Sequence, residues 1–305
     1  MRILVTGAQG QVGLSLVETA AARGVELLAV GRADLDITRK SSVDAGMLAH
    51  KPDVVVNAAA YTAVDKAESE PDKAHLVNAT GAGNVAEACR AAGVPIIHIS
   101  TDFIFDGMKA APYSESEAPL PLSVYGCTKL AGEKAVAAGC PSHLILRTAW
   151  VHSPFGHNFV KTMLRLAKIR DEIGVVDDQV GSPTFAPHLA EAILSVAKRV
   201  SSDNTQRMPW GVYHVAGGGE TSWCGLARAV FDHSKARGGP YSCVKAIATA
   251  DYPTPARRPA NSRLACDKFE RVSGIVLPHW TSGVEDCVAR LLQGEKETAN
   301  AMEGE

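Results

Sequence analysis

The chain lacks the patterns that mark membrane proteins, nucleic-acid-binding proteins and structural zinc sites. No apolar run approaches the roughly 20 residues that a helix needs to span a bilayer. A formal net charge of −2 provides no basic field for nucleic acid or an anionic membrane. The seven cysteines never stand in C-x-x-C spacing, which argues against a structural zinc site and for a reducing compartment. We therefore expect a cytoplasmic protein with no nucleic-acid partner, no membrane association and no zinc.

The 305 residues do contain a regular alternation of short apolar runs and helical segments. In the first half, strands are predicted at 2–6, 25–30, 53–59, 94–100 and 143–150, and helices at 11–24, 73–93 and 123–138. Continuous apolar strands separated by helices indicate a parallel sheet that is covered on both faces. Because crossovers between parallel strands are right-handed, the expected fold is α/β, with a doubly wound parallel sheet of the Rossmann type.

The alternation loosens after residue 150. The later predicted elements are helices at 158–170 and 183–200 and one strand at 212–217. We expect residues 1–150 to form an NAD(P)-binding core, with parts of 151–220 completing its sheet. Residues 221–293, where loops rich in Pro, Gly and Arg appear, would form mainly a smaller substrate-binding lobe. The polar segment 294–305 is expected to be a flexible tail.

A glycine-rich loop joins the first predicted strand to the first helix. In "GAQGQVG", Gly7 permits a tight turn, Gly10 lets the backbone approach a pyrophosphate, and Gly13 lets helix and strand pack closely. The pyrophosphate would lie at the positive end of the helix. We expect these glycines, together with Gln11 and Val12, to bind a dinucleotide.

The end of the second strand bears on the choice of cofactor. "VELLAV" ends at Val30 without the acidic residue that usually holds a free ribose 2′-hydroxyl. Arg32 lies nearby and could hold a 2′-phosphate, although an ordinary surface arginine explains it about as well. NADPH is therefore favoured, with NADH possible. Asp36 and Ile37 are candidates for the adenine pocket.

Small residues follow the strand at 53–59, at the carboxyl edge of the predicted sheet. Their size would let a cofactor lie across the strand ends. The candidate cofactor-binding residues in this segment are Ala58, Ala59, Ala60, Tyr61 and Thr62.

A tyrosine and a lysine are spaced by one helical turn in "YGCTK". Tyr125 and Lys129 would share a helix face, and a nearby ammonium favours the ionised form of a phenol. Taken alone, this spacing occurs by chance in many proteins. Here it follows a strand that ends in Ser100, Thr101 and Asp102 at the same sheet edge. The order of glycine loop, hydroxyl and Tyr/Lys helix makes coincidence a poor explanation.

This order of elements resembles the extended short-chain dehydrogenase/reductase family. The resemblance implies that Thr101 hydrogen-bonds the reacting oxygen and that Tyr125 passes a proton to it. It also implies that Lys129 binds the nicotinamide ribose and lowers the pKa of the tyrosine. Both Tyr125 and Lys129 would then contact the cofactor as well as serving catalysis.

More specific segments resemble the dTDP-4-dehydrorhamnose reductase family over nearly the whole chain. They are "NAAAYTAVDKAESEP", "STDFIFDG", "YGCTKLAGEKA", "LRTAWVH", "NFVKTMLRLAK", "DQVGSPT" and "PTPARRPANSRL". The resemblance implies reduction of the 4-keto group of a nucleotide sugar, dTDP-4-dehydro-L-rhamnose, to dTDP-L-rhamnose. The implied substrate-binding residues are Thr62, Val64, Thr101, Asp102, Trp150 and Arg258.

Three of these substrate assignments have structural alternatives. Asp102 could cap a loop, and Trp150 could belong to the core. The adjacent guanidinium groups of Arg257 and Arg258 suit a diphosphate or a carboxylate, but the pair could equally be a solvated surface.

Departures from the family pattern bear on metal binding and oligomeric state. Some family members are dimers that hold magnesium with glutamates, and one such position corresponds here to Ser15. We therefore predict no metal ligands in the sequence, leave a magnesium requirement open, and expect a monomer or a homodimer.

Two other functions fit the same scaffold. One is a non-catalytic regulatory subunit, like that of methionine adenosyltransferase, although an intact Thr101/Tyr125/Lys129 set argues against it. The other is a different sugar-nucleotide reductase, epimerase or dehydratase. A dehydratase usually has an acidic residue where this chain has Phe103.

Overall fold

The computed structural model describes residues 1–201 and 208–303, with side chains as far as 294. Its strands are β1 (Arg2–Thr6), β2 (Glu26–Val30), β3 (Val54–Asn57), β4 (Ile96–Thr101), β5 (His143–Thr148), β6 (Val151–His152), β7 (Glu172–Val176), β8 (Val180–Gly181), β9 (Thr184–Phe185), β10 (Gly211–His214), β11 (Thr221–Ser222), β12 (Cys243–Ile247) and β13 (Asn261–Ser262). Its α-helices are α1 (Gln11–Ala22), α2 (Lys40–His50), α3 (Val64–Ala67), α4 (Pro71–His75), α5 (Ala82–Ala92), α6 (Val124–Gly139), α7 (Phe159–Ala167), α8 (Ala186–Ser201), α9 (Trp223–Ala236), α10 (Asp267–Ser273) and α11 (Trp280–Glu303).

A sheet of six parallel strands forms the centre of the molecule. Its strand order is β10-β5-β4-β3-β1-β2. Successive residues of a strand face opposite sides, and both sides of this sheet are covered. Ile3, Val5 and Val56 pack against α8 in one core, whereas Leu4 and Val55 pack beneath α5 and α6 in the other. The predicted doubly wound α/β fold is confirmed.

The order of strands across the sheet reverses between β1 and β3. β1 leads outward to β2, and the chain then returns to β3 on the other side of β1. Ligands of such folds bind at the carboxyl ends of the strands, near the point where the strand order reverses. The glycine loop after β1, the segment after β3 and the end of β4 therefore meet at one edge.

The segment 73–93 was predicted as one regular helix, and this prediction is wrong in its middle. α4 and α5 are joined by a π-helical turn, Leu76–Gly81. Such a turn inserts one extra residue and redirects the side chains within it. Asn78, in this turn, is buried and faces the loop after β3 and helix α6. Apolar periodicity does not reveal the extra residue, because the flanking turns keep their helical pattern.

The second half of the chain builds a separate core beside the sheet. Residues of α7, α9 and α11 surround the parallel pair β7–β12. Short pairings β11–β8–β13 and β6–β9 complete this part of the molecule. The helix α11 covers most of the segment predicted as a flexible tail, and residues 304–305 lie outside the described part of the chain. Among the described residues, no helix combines the length and apolarity that crossing a bilayer requires.

Candidate active site

The glycine loop after β1 is shaped for close backbone approach. Gly7 has a φ of +74°, and a Cβ there would stand 2.6 Å from the backbone nitrogen of Ala59. A Cβ on Gly13 would collide with the carbonyl oxygen of Gly7. Gly10 caps α1 with extended backbone and no side chain, so nothing covers the first turn of the helix from that position. The loop therefore fits a pyrophosphate at the positive end of α1.

Gln11, at the start of α1, is engaged with the second half of the chain. Its Oε1 accepts hydrogen bonds from Ser153 Oγ at 3.0 Å and from Asn158 Nδ2 at 2.9 Å. Val12 packs against the core beneath the sheet. The side chain of Gln11 thus ties the predicted cofactor loop to the segment that follows β6.

Arg32 lies just beyond β2, and its side chain is 73% exposed. Its Nε stands 3.6 Å from Asp36 Oδ2. The carboxylate of Asp36 also accepts hydrogen bonds from the backbone and hydroxyl of Thr38, and these contacts, with Arg32 contributing less, lower its pKa. Ile37 is buried, close to Gly81. Arg32 is thus an exposed side chain whose one ion pair among the described residues is with Asp36, and binding a 2′-phosphate would compete with that contact.

The segment after β3 is fixed by a buried amide that the sequence did not single out. Asn78 Oδ1 accepts from the backbone nitrogen of Tyr61 at 2.7 Å, and Asn78 Nδ2 donates to the Tyr61 carbonyl at 3.1 Å and to Thr128 Oγ1 at 3.1 Å. Tyr61 in turn donates its phenol to Glu70 at 2.8 Å. The segment Ala58–Thr62 is thereby held beside α6. A lone Asn in "LVNATG" was the available signal.

Thr101, Asp102 and Tyr125 meet at the carboxyl end of β4. Thr101 Oγ1 donates to Asp102 Oδ1 at 2.9 Å and accepts from the backbone nitrogen of Phe103 at 3.2 Å. Tyr125, in the first turn of α6, is buried with its ring edge-on to Phe103. The first turn of α6 can lie close to Phe103 because Gly126 has no side chain. A Cβ on Gly126 would collide with the Phe103 carbonyl oxygen.

Burial sets the protonation states in this cluster. It raises the pKa of Tyr125 to about 12, although the neighbouring Thr101 hydroxyl acts in the opposite direction. It also raises the pKa of Asp102 to about 6, and Asp102 Oδ2 has no hydrogen-bond partner among the described residues. The sequence led us to expect a lowered tyrosine pKa, and the structure gives the opposite direction. Tyr125 is therefore a neutral phenol, which is the form that can donate a proton.

Lys129 lies one turn along α6 from Tyr125, on the buried side of the helix. Its Nζ donates to the carbonyl of Ile99 in β4 at 2.6 Å. Burial lowers its pKa to about 8, opposed by the carboxylate of Glu133. The lysine thus remains largely protonated at neutral pH, and its ammonium is fixed against the strand that carries Thr101.

The predicted substrate residues outside this cluster lie in the second half of the chain and in the segment after β3. Trp150 has a φ of +48°, unusual for a residue with a side chain, and its ring stacks on Trp223 with centroids 3.6 Å apart. Arg258 Nη2 donates to Asp65 Oδ2 at 2.7 Å. Asp65 follows Val64 at the start of α3. These contacts leave the roles of Trp150 and Arg258 as predictions.

Ser15 does not present a metal ligand at the surface. It is fully buried in α1, and its Oγ has no partner among the described residues. Within the part of the chain whose side chains are described, no group of three or more His, Cys, Asp or Glu side chains could hold a metal ion. A buried serine hydroxyl does not supply the carboxylate ligand that some family members have at this position.

A doubly wound sheet, a glycine loop at its switch point and a buried Thr/Tyr/Lys set define an NAD(P)-dependent oxidoreductase of the extended short-chain dehydrogenase/reductase class. The model of the RmlD substrate binding domain family matches residues 1–293. The chain belongs to this family, whose curated relatives here are dTDP-4-dehydrorhamnose reductases.

Individual relatives match over almost their full length. The dTDP-4-dehydrorhamnose reductase of Sinorhizobium fredii is 48% identical over 296 residues, covering 97% of this chain and 99% of the relative. That of Escherichia coli K12 is 45% identical over 291 residues, with 93% and 96% covered. Among solved structures, the Bacillus anthracis dTDP-4-dehydrorhamnose reductase in complex with NADP is similar at a TM-score of 0.87 and 35% identity. The match covers 95% of this chain and 99% of the Bacillus anthracis chain.

Proposed function

We propose that this protein reduces the 4-keto group of dTDP-4-dehydro-L-rhamnose and forms dTDP-L-rhamnose, with NADPH as the preferred reductant. The observation that carries the proposal is the buried phenol of Tyr125, which stands beside Thr101 and Asp102 at the carboxyl end of β4. Relatives at 45–48% identity that are named for this reaction support the choice of substrate.

Tyr125 is the proposed proton donor. Its pKa of about 12 keeps the phenol protonated at neutral pH, so a proton is available for the sugar O4 as negative charge develops there. Thr101 hydrogen-bonds the same oxygen by turning its hydroxyl from Asp102 towards the substrate. When bound, the nicotinamide cofactor supplies the hydride.

Lys129 is proposed to hold the nicotinamide ribose. Its ammonium is already oriented by the Ile99 carbonyl, 2.6 Å away, so little side-chain freedom is lost when it binds a ribose hydroxyl. The same positive charge stabilises the phenolate that Tyr125 leaves behind after donation. No step of this proposal involves a metal ion.

The dinucleotide itself is assigned to the first part of the chain. Gly7, Gly10 and Gly13 would cradle the pyrophosphate, and the segment Ala58–Thr62 would lie along the nicotinamide half. We propose that residues 1–150 with β10 serve the cofactor and that 221–293 serve mainly the nucleotide sugar. We place the reaction in the cytoplasm, since scattered cysteines, found here as free thiols, suit a reducing compartment.

Tyr125→Phe tests the proposal, because it removes the phenolic proton and keeps the ring. We expect kcat to fall by roughly 10²- to 10⁴-fold, the range for loss of a general acid, while NADPH still binds. Turnover is read as loss of NADPH absorbance, and binding as quenching of protein fluorescence. Near-normal turnover by a folded Tyr125→Phe protein would overturn the assignment.

A further inference from the structure

A buried ion pair lies directly behind the catalytic cluster. Glu133 in α6 accepts two hydrogen bonds from Arg147 in β5, Nε to Oε1 at 2.9 Å and Nη2 to Oε2 at 2.7 Å. Ser100 Oγ in β4 donates to Glu133 Oε1 at 2.5 Å. The Glu133 and Arg147 side chains are each only 5% exposed. One carboxylate thus joins a helix to two neighbouring strands of the sheet.

Three consecutive residues at the end of β4 contact three turns of α6. The Ile99 carbonyl accepts from Lys129, and Ser100 donates to Glu133. The Thr101 hydroxyl stands next to Tyr125 closely enough to influence the pKa of the phenol. Because the contacts of Ile99 and Thr101 flank Ser100 in the strand, the bond from Ser100 to Glu133 sets how α6 is placed along β4. The relative positions of Tyr125, Lys129 and Thr101 follow from that placement.

Stability alone does not account for an ion pair at this depth. Removing two charges from water costs several kcal/mol per ion, and apolar replacements of buried pairs are often as stable or more so. One turn further along the same helix, Val136 is fully buried in an ordinary apolar core. Arg147 is itself held on its other side, with Nη1 3.4 Å from His214 Nε2 and its guanidinium over the ring of Phe105. The network fixes orientation from both ends.

We propose that Glu133 is a positioning residue for the reduction: bound to Ser100 and Arg147, it sets the register of α6 on β4 and so holds Tyr125 and Lys129 in place against Thr101. Glu133 does not reach the substrate in this proposal. The inference rests on the proposed function, since it assumes that Tyr125 donates the proton.

The charged groups around Lys129 determine how the loss of the Glu133 carboxylate would change the pKa of Lys129. Glu133 raises the pKa of Lys129, which burial lowers to about 8. His98 in β4 faces the same lysine, but burial holds its pKa well below the ordinary value, so the ring is neutral.

The neighbouring groups whose pKa values are shifted do not titrate near pH 8. Burial together with the Arg147 guanidinium lowers the pKa of His214, behind Arg147, to about 3. Tyr125 stays neutral, and Asp102 is ionised above its pKa of about 6. Removing the Glu133 charge therefore lowers the pKa of Lys129 further, and Lys129 loses its proton at a lower pH.

The test compares Glu133→Gln and Glu133→Asp with Val136→Ala in the full-length protein. Val136→Ala is the matched control, because it destabilises the same helix by a cavity and leaves the polar network intact. We expect Glu133→Gln to lower kcat by about tenfold or more, since small misplacements of reacting groups are costly, with little change in KM for the sugar nucleotide. The alkaline limb of its kcat/KM profile should move to lower pH. Glu133→Asp keeps the negative charge, so its alkaline limb should lie at the wild-type pH. Its kcat should be only partly restored.

Ser100→Ala keeps the inference testable if Glu133→Gln fails to fold, because it leaves the ion pair whole. We expect this variant to lose kcat by a few-fold, about the value of one hydrogen bond, at a melting temperature at or above that of Val136→Ala. The inference would be overturned if Glu133→Gln and Ser100→Ala lost activity only in proportion to their loss of melting temperature, as Val136→Ala does, and if the pH profile of Glu133→Gln did not move. Tyr125→Phe run in parallel separates the two proposals: if it stays active, the proton-donor assignment has failed instead.

Discussion

The interface between β4 and α6 and the junction between the sheet and the second half of the chain are held together by different means. Where α6 packs on β4 and its neighbour β5, the side chains of Glu133 and Arg147 are each 5% exposed, and Lys129 is 2% exposed. At the junction, the Arg258–Asp65 pair is 26% and 40% exposed. Arg290 pairs with Glu18 of α1 at similar exposure.

The difference indicates that the two regions have different roles, the first in aligning reacting groups and the second in binding. Buried charge-assisted hydrogen bonds lose little to solvent and hold one geometry, which suits groups that must be aligned for proton and hydride transfer. Exposed ion pairs contribute about 0–1 kcal/mol and weaken with salt, so the contacts they make can be exchanged at low cost. We expect changes between β4 and α6 to affect kcat and changes at the junction to affect KM.

Lys129→Met should give the largest effect among the tests of this difference in roles. It removes the ammonium that serves both ribose and phenolate, and we expect kcat/KM to fall by roughly 10²-fold, as for loss of a group that assists proton transfer. With its pKa of about 8, Lys129 is charged below that pH and neutral above it. Wild-type kcat/KM should therefore decline above pH 8, and Lys129→Met should lose that limb. A pH profile shared by both proteins would place the titrating group elsewhere.

Arg258→Ala tests the junction. If Arg258 leaves Asp65 to bind the substrate diphosphate, we expect KM for the sugar nucleotide to rise about tenfold, the value of one charge-assisted hydrogen bond, with kcat almost unchanged. Initial rates at low and high ionic strength provide the measurement, and the difference from wild type should narrow in salt.

Asp65→Asn is the matched control for this experiment, because it breaks the ion pair and keeps the guanidinium. Its KM should stay much closer to wild type than that of Arg258→Ala. Equal effects of both substitutions would show that Arg258 serves only to hold Asp65.

Arg32→Ala should give the smallest effect. The side chain is 73% exposed and Asp36 competes for it, so one contact to a 2′-phosphate would be heavily screened. We expect a roughly three- to tenfold drop in the NADPH-to-NADH ratio of kcat/KM, mainly through weaker use of NADPH. An unchanged ratio would mean that Arg32 makes no contact with the cofactor.

The sequence predicted the strands and helices that have a periodic apolar pattern. It missed the features that depend on a single side chain. The strands of the main sheet and the placement of Gly7, Thr101 and Tyr125 at one edge follow from periodicity and from the rule that parallel strands end together. The π-turn at Asn78 does not, because the short helical segments on each side of it keep their own helical spacing.

The protonation state of Tyr125 could not be predicted from the sequence either. The spacing of Tyr125 and Lys129 suggested that the ammonium dominates the phenol, but desolvation depends on the packing of neighbouring elements. Burial of the Tyr125 ring, which packs edge-on to Phe103, reverses the direction of the pKa shift. The Glu133 network has the same origin, since β4, β5 and α6 meet only in the folded chain.

The most direct measurement of the central claim is the stoichiometry of turnover with dTDP-4-dehydro-L-rhamnose. Wild-type protein is mixed with the sugar nucleotide and excess NADPH, and cofactor oxidation is followed while the nucleotide sugars are resolved by chromatography. We expect one NADPH to be oxidised for each dTDP-L-rhamnose formed, with oxidised cofactor released between turnovers. Conversion of the sugar without net NADPH oxidation, or binding of both ligands without conversion, would contradict it.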